Sequence, residues 1–139
     1  MIYKYSPDEI LESCIELATL LIGSKGQKAL SVHKKELLTT LLWKVTERFG
    51  KYSPPWISEA GLKVEDKRVL QHERINTRKQ LISKLLEGVP VRGVFMEAEA
   101  CLVTEEEHAA LSKFDKTHVG RERYAQAKIE LFKNPKHKG

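Results

Sequence analysis

The stretch that decides the fold is ACLVTEEEH, residues 100–108. Its four apolar residues, 100–103, predict a short buried strand, and Thr104 followed by Glu107 predicts the capped start of a helix that carries His108. A strand, a cap and a histidine-bearing helix therefore follow one another with no spare residue. An earlier stretch, RVLQH at residues 68–72, predicts another short strand. The second half of the chain is thus expected to contain two short strands and a helix that begins directly after the second.

The first half of the chain predicts a helical hairpin. SPDE at residues 6–9 combines a capping serine, a proline suited to the first helical position and a glutamate that can close a capping box. We expect a first helix from Pro7 to about Ile22 and a second from about Gln27 to Phe49, each ended by a glycine. Apolar residues recur every three or four positions in both helices, so the two stripes are expected to pack together. The stripe of the first helix consists of Ile10, Cys14, Leu17, Ala18 and Leu21, and that of the second consists of Leu38, Leu41, Leu42, Val45 and Phe49.

Prolines 54 and 55 end the helical pattern, and three shorter helical segments are predicted beyond them. Ser58 can cap a short turn, and Thr77 with Gln80 offers a capping box for a helix. We expect that helix to end at Gly88 and to bury Leu81, Leu85 and Leu86. A last short helix is expected over residues 121–127, and the basic tail, residues 133–139, is expected to fray. Trp43 and Trp56 are predicted to be packing anchors rather than surfaces for stacking bases.

Composition favours a basic protein that folds as one domain. The chain has 139 residues, 41% of them hydrophobic, and its 24 Lys and Arg outnumber 19 Asp and Glu for a net charge of +5. Such an excess suits a polyanionic partner such as DNA or RNA. Cys14 and Cys101 lie far apart without metal-ligand spacing, which predicts buried thiols in a reducing compartment. No segment is apolar enough to span a bilayer, so we expect a cytoplasmic protein without a membrane partner.

The order of these motifs resembles the HNH, or ββα-metal, superfamily. It is most similar to a group of small bacterial and phage HNH-like proteins with a His-Glu-His motif, a basic helix, a Val-Val-Thr-x-Glu-Glu-His junction and a Glu-Arg-Tyr segment. The matching stretches here are HER at 72–74, RK at 78–79, LVTEEEH at 102–108 and ERY at 122–124. The expected fold is α+β and mostly helical over one domain, residues 1–139. It comprises a helical hairpin at 1–50, an HNH-like unit at 51–132 and the basic tail at 133–139.

The resemblance implies a site made by His72, Glu73 and His108. In it Glu73 and His108 would hold a divalent ion (Mg²⁺, Mn²⁺ or Zn²⁺) and His72 would orient or activate water. Two alignments of the first motif stay open. One places Arg74 where a second histidine belongs, and an arginine stays protonated and cannot act as a base. The other makes His72 the base and puts Gln71 where a carboxylate ligand is expected. Each alignment leaves the metal site incomplete. The alternative to a divalent ion is therefore that the protein binds no metal.

Five basic residues are predicted to contact phosphate. Arg78 and Lys79 begin a helix, where cations are unfavourable for the helix dipole, and this indicates an anion gathered at that helix start. Arg74 would meet phosphate beside the site, and Arg121 and Arg123 would extend the surface. A solvated basic face explains the last two equally well.

Two classes of function follow from these patterns. The first is a nucleic-acid-binding HNH-like protein, acting as a metal-dependent endonuclease with an impaired catalytic site. The alternative is a catalytically inactive protein-interaction or inhibitor module of a phage or mobile element, which the substitutions at Gln71 and Arg74 would allow. A helix-turn-helix regulator ranks last because no suitable turn joins two short helices. The first class depends on folding that brings His72 and His108 into one pocket.

Overall fold

A computed structural model describes residues 5–24 and 31–137 of the chain. The fold is α+β and mostly helical, as the sequence predicts. In chain order its elements are α1 (Pro7–Gly23), α2 (Ser31–Thr46), β1 (Trp56–Ser58), α3 (Glu59–Leu62), β2 (Gln71–Arg74), α4 (Arg78–Leu86), α5 (Val91–Met96), β3 (Ala100–Val103), α6 (Glu105–Ser112), α7 (Arg121–Gln126) and β4 (Leu131–Lys133).

The chain divides into two compact units, and each contains two separate stretches of sequence. The helical unit comprises Met1–Arg48 and Arg78–Ala98, and the sheet unit comprises Phe49–Thr77 and Glu99–Gly139. The predicted hairpin of residues 1–50 is therefore only part of the helical unit, because α4 and α5 complete its core. No helix within the described residues is long and apolar enough to cross a bilayer.

The helical unit begins at the capping box predicted from the sequence. The Ser6 hydroxyl accepts from the Glu9 amide at 3.1 Å, and the Glu9 carboxylate accepts from the Ser6 amide at 3.3 Å. Removing such a cap costs about 1 kcal/mol. Arg92 in α5 makes two 2.7 Å bonds to Glu12 in α1, which join the two helices. The core between the four helices is formed by Leu11, Cys14, Ala18, Leu38, Leu41, Leu42, Val45, Leu81, Ile82, Leu85, Val94, Phe95 and Ala98.

Several side chains of the predicted apolar stripes lie outside this core. Leu17 and Leu86 are exposed, and Leu11 and Ile82 are buried in their helices instead. Because α1 and α2 pack against α5 and α4 as well as against each other, the buried faces differ from those expected for an isolated hairpin. Trp43, predicted to anchor packing, is 41% exposed and is not among the residues of this core. Phe49, the last residue of the stripe predicted for the second helix, is assigned to the sheet unit. The predicted start of that helix near residue 27 lies outside the described residues.

The sheet unit contains a four-stranded mixed sheet in the order β2-β3-β1-β4. Strands β2 and β3 pair antiparallel, with His72 opposite Leu102 and Glu73 opposite Cys101. Strand β1 lies parallel to β3 and antiparallel to β4. The sequence patterns predicted β3, but they did not predict β4 or β1, a three-residue strand directly after two prolines. The strand predicted at residues 68–72 starts later, because Asp66 caps a 3₁₀ turn over Lys67–Val69.

The two faces of this sheet carry different core clusters. Successive side chains of a strand point to opposite faces. Cys101 and Val103 accordingly pack with Leu111 and Tyr124 of α6 and α7, on what we call the α6–α7 face. Leu102 packs with Ile57 and Leu70 on the opposite face, called here the Leu102 face.

Helix α6 starts as the sequence predicts. The Thr104 hydroxyl accepts from the Glu107 amide at 3.2 Å, and the Glu107 carboxylate accepts from the Thr104 amide at 2.9 Å. The same carboxylate also accepts from the Ser58 hydroxyl at 2.5 Å, which ties the start of α6 to the end of β1. This double use of Glu107 fixes the position of His108, one residue further along.

The prediction that residues 133–139 fray is wrong for the described part of that segment. Asn134 is buried, its amide donates to the Pro55 carbonyl at 2.9 Å, and its side-chain nitrogen donates to the Pro54 carbonyl at 3.0 Å. The imidazole of His137 lies 3.0 Å from the Ser53 carbonyl and packs edge-on against Phe49. The two carbonyls before β1 thus gain donors that the sequence alone did not indicate.

Candidate functional site

Strand β2 and helix α6 bring Glu73 and His108 into direct contact. Nδ1 of His108 meets Oε2 of Glu73, and the imidazole is about half exposed while the carboxylate is nearly buried. A carboxylate that accepts from Nδ1–H fixes the imidazole tautomer, so that a neutral ring presents Nε2 as an acceptor. The sequence predicted that these two residues act together, and the fold places them together.

Helix α7 adds Arg123 to this pair. Its side chain is only 2% exposed, and its Nη2 lies 3.4 Å from Oε1 of Glu73. The same guanidinium donates to Asp115 at 2.5 Å and to the Arg74 carbonyl at 2.7 Å. Arg123 was predicted to contact phosphate, but the structure buries it as the counter-charge of Glu73 and Asp115. Asp115 was not expected from the sequence, because a lone aspartate gives no signal of this role.

Arg121, two residues earlier, lies at the surface of the same helix. Its guanidinium stacks on the Trp56 ring, 4.6 Å from the ring centre, and is 3.6 Å from the Glu99 carboxylate. That carboxylate also accepts from the Trp56 indole nitrogen at 3.2 Å. Arg121, which was predicted to contact phosphate, thus lies beside the Glu99 carboxylate, which already balances the charge of its guanidinium.

His72 lies away from the pair, although it precedes Glu73 in the chain. Its partner in the ladder is Leu102, and strand alternation directs its side chain to the Leu102 face. Both ring nitrogens are buried, and neither has a hydrogen-bond partner among residues 5–24 and 31–137. Burial, with smaller contributions from the charges of Arg74 and Lys51, lowers the pKa of His72 to about 4. The structure therefore brings Glu73 and His108 together and leaves His72, a neutral imidazole at pH 7, on the other side of the sheet.

The donor set does not fit a divalent ion well. Glu73 and His108 supply two donors, whereas protein sites for such ions use three or more. No group of three or more His, Cys, Asp and Glu within the described residues is arranged to hold a metal ion. The buried charge of Arg123 beside Glu73 would also repel a cation.

Arg78 and Lys79 belong to the helical unit and line a groove between α2 and α4. They lie on the first turn of α4, exposed, and Lys35 of α2 lines the same groove. Its volume is about 490 Å³, and Glu36 is the acidic residue among its lining residues. We call this feature the cationic groove, defined by Lys35, Arg78 and Lys79. The sequence predicted the anion contact at the start of α4, but it gave no sign that Lys35 would join it across the tertiary structure.

Comparisons with known proteins supply no relative to set beside this geometry. No protein family, curated protein or solved structure matches the chain. The resemblance to the HNH superfamily therefore stays a prediction from the sequence motifs.

Proposed function

We propose that the protein binds nucleic acid through the cationic groove and that the HNH-like sheet unit serves as a scaffold without nuclease chemistry. The observation that carries this proposal is the convergence of Lys35, Arg78 and Lys79 on one groove of about 490 Å³. Phosphate contacts dominate the affinity of proteins for nucleic acids, and lysine and arginine supply most of them.

The start of α4 adds to the attraction for phosphate. The helix dipole places partial positive charge at the start of α4. Arg78 and Lys79 are unfavourable at that position unless an anion is bound. A phosphate seated at this helix start would compensate both features at once.

The sheet unit supports binding better than cleavage. An HNH-type reaction needs a base close to the ligands that hold the ion. Here the candidate base, His72, projects from the opposite face to Glu73, and the carboxylate of Glu73 is shared between His108 and Arg123. His108 presents its Nε2 beside Glu73, but the described residues supply no set of ligands that would hold an ion next to it.

Binding can be tested by the fluorescence anisotropy of a labelled 20-base-pair DNA duplex and the matching RNA duplex. Reversing two charges of the groove, in Arg78→Glu with Lys79→Glu, is expected to weaken binding at least tenfold. It should also reduce the slope of log affinity against log salt by about 2, because about two phosphate contacts are lost. The matched control is Lys113→Glu with Lys116→Glu, an equal charge change at exposed positions of the sheet unit. Equal losses in both variants would contradict a defined groove.

Cleavage is tested separately by incubation with plasmid DNA and Mg²⁺ or Mn²⁺. The wild-type protein is expected to leave the plasmid supercoiled. Nicking that disappears in His108→Ala or Glu73→Gln would overturn the scaffold proposal and restore the endonuclease.

A protein-interaction or inhibitor module of a phage or mobile element is the second candidate. The observation that favours it is a set of exposed apolar side chains in the helical unit, including Leu17, Leu20 and Leu37. If neither duplex binds at low salt, this candidate replaces the first.

A further inference from the structure

The helical unit contains a second and larger groove, which lies between α1 and α2. Its volume is about 950 Å³, and most of its surface is apolar. Ile10, Cys14 and Leu17 line it from α1, and Leu41 lines it from α2. We call it the hairpin groove, and none of its residues belongs to the cationic groove.

Exposed leucines extend the apolar surface of the hairpin groove. Leu17 is 48% exposed, Leu20 is 66% exposed and Leu37 is 51% exposed. Leu20 follows Leu17 by three residues on α1, and Leu37 precedes Leu41 by four on α2, so each lies on the groove side of its helix. Continuous apolar surfaces of this kind mark interaction sites in soluble proteins.

The two helices that form the groove carry opposite charge. Helix α1 contains Asp8, Glu9, Glu12 and Glu16 and no lysine or arginine, whereas α2 contains three lysines and one glutamate. At the groove itself, Glu9 and Glu12 lie on the α1 side. Lys44 and Arg48 lie on the α2 side, with Glu47 between them in sequence. Lys44 lines the groove together with Cys14 of α1.

We propose that the hairpin groove is a homodimer interface, in which α1 of one copy lies over α2 of the other. In a dimer with two-fold symmetry each contact occurs twice, so a surface that carries both an acidic and a basic edge pairs with itself. The acidic edge along α1 then meets the basic edge along α2 of the second copy, and the exposed leucines of both copies become buried. With 17 residues, α1 offers about 25 Å of contact along its axis.

This proposal is independent of nucleic-acid binding, because it uses the other side of α2. A dimer would nevertheless present two cationic grooves on one particle, which raises avidity for a long duplex. A peptide helix from a different protein could also fill an apolar groove, and the experiment below separates that occupant from a second copy.

Analytical ultracentrifugation of the full chain tests the interface. The wild-type protein is expected to sediment as a dimer at tens of micromolar. Leu17→Glu with Leu20→Glu is expected to weaken association at least a hundredfold. Val69→Glu changes an equally exposed apolar residue of the sheet unit and should leave the dimer intact. Circular dichroism checks that each variant is folded.

A charge exchange gives the decisive result. Glu16→Lys and Lys44→Glu each place like charges across the interface twice, so each variant alone is expected to dissociate at least tenfold more readily. Mixed together, the two variants place opposite charges at both contacts, and a heterodimer should form. Recovery of the dimer in the mixture supports the proposal. A monomeric wild type, or variants that fail to recover on mixing, would overturn it and leave the groove to a different protein.

Discussion

His72 and Glu73 are consecutive residues of β2, and their side chains leave opposite faces of the sheet. Glu73 joins His108 and Arg123 on the α6–α7 face. His72 lies on the Leu102 face, where its buried ring nitrogens have no hydrogen-bond partner in the part of the chain that the structure describes. The histidine and the carboxylate of one motif thus have different physical roles. The first is a neutral ring with buried nitrogens, and the second is the centre of a charged network.

The enclosed ring of His72 should make stability depend on pH. Its pKa is about 4 in the folded protein against 6.5 ordinarily, so the unfolded chain binds a proton that the folded chain does not. The contribution of His72 to the free energy of unfolding is therefore expected to be constant above pH 6.5. As the pH is lowered from 6.5 to 4, the free energy of unfolding is expected to fall by about 1–3 kcal/mol. Urea titrations across this range measure it.

Variants separate His72 from the other titrating groups. His72→Gln is expected to remove that part of the slope between pH 6.5 and 4. His33→Gln, which changes an exposed histidine of α2, should retain it. An unchanged slope in His72→Gln would show that another group is responsible.

The buried guanidinium of Arg123 should be important for stability. Its removal leaves Glu73 and Asp115 without their shared counter-charge, and breaking a buried pair in this way costs about 3–5 kcal/mol. Arg123→Ala is expected to lower the free energy of unfolding by about that amount in urea. Arg121→Ala, two residues away on the same helix, removes only an exposed stacking and ion-pair contact and should cost less than about 1 kcal/mol. Similar losses for the two variants would contradict the burial of Arg123.

Both cysteines should be unreactive in the folded protein. Cys14 and Cys101 are buried free thiols, and burial raises the pKa of each, that of Cys101 to about 12. The reactive thiolate is therefore scarce as well as enclosed. Ellman's reagent at pH 8 is expected to label fewer than about 0.2 thiols per chain until urea unfolds the protein, after which two should react. Rapid labelling of either cysteine in native buffer would show that its unit opens without unfolding.

The end of the chain should contribute to folding. Asn134→Ala removes the side-chain donor to the Pro54 carbonyl and leaves that acceptor buried, which costs about 1–3 kcal/mol. Thermal unfolding is expected to show a lower Tm for this variant. Lys136→Ala, a neighbouring change that leaves both Asn134 hydrogen bonds to the proline carbonyls in place, serves as the control and should change the Tm little. An unchanged Tm in Asn134→Ala would mean that β4 is held without this residue.

Local patterns were sufficient for much of the fold. The capping boxes at Ser6 and Thr104 depend on residues three positions apart, so the sequence alone predicts where α1 and α6 begin. The proximity of Glu73 and His108 was also predicted, but only as what the resemblance to the HNH superfamily implies. Strands β1 and β4 were not predicted as such, since each has three residues and is stabilised by pairing with distant segments rather than by its own pattern.

The sequence by itself determined the class of fold, the starts of the main helices, the burial of both cysteines and the basic character of the chain. Only the tertiary structure decided that Arg123 is buried, that Lys35 joins Arg78 and Lys79, and that His72 is separated from His108. Periodicity and capping act over a few residues, and these can be read along the chain. Which charged groups meet across elements, and which face of a sheet a side chain takes, depends on strand register and packing between segments tens of residues apart.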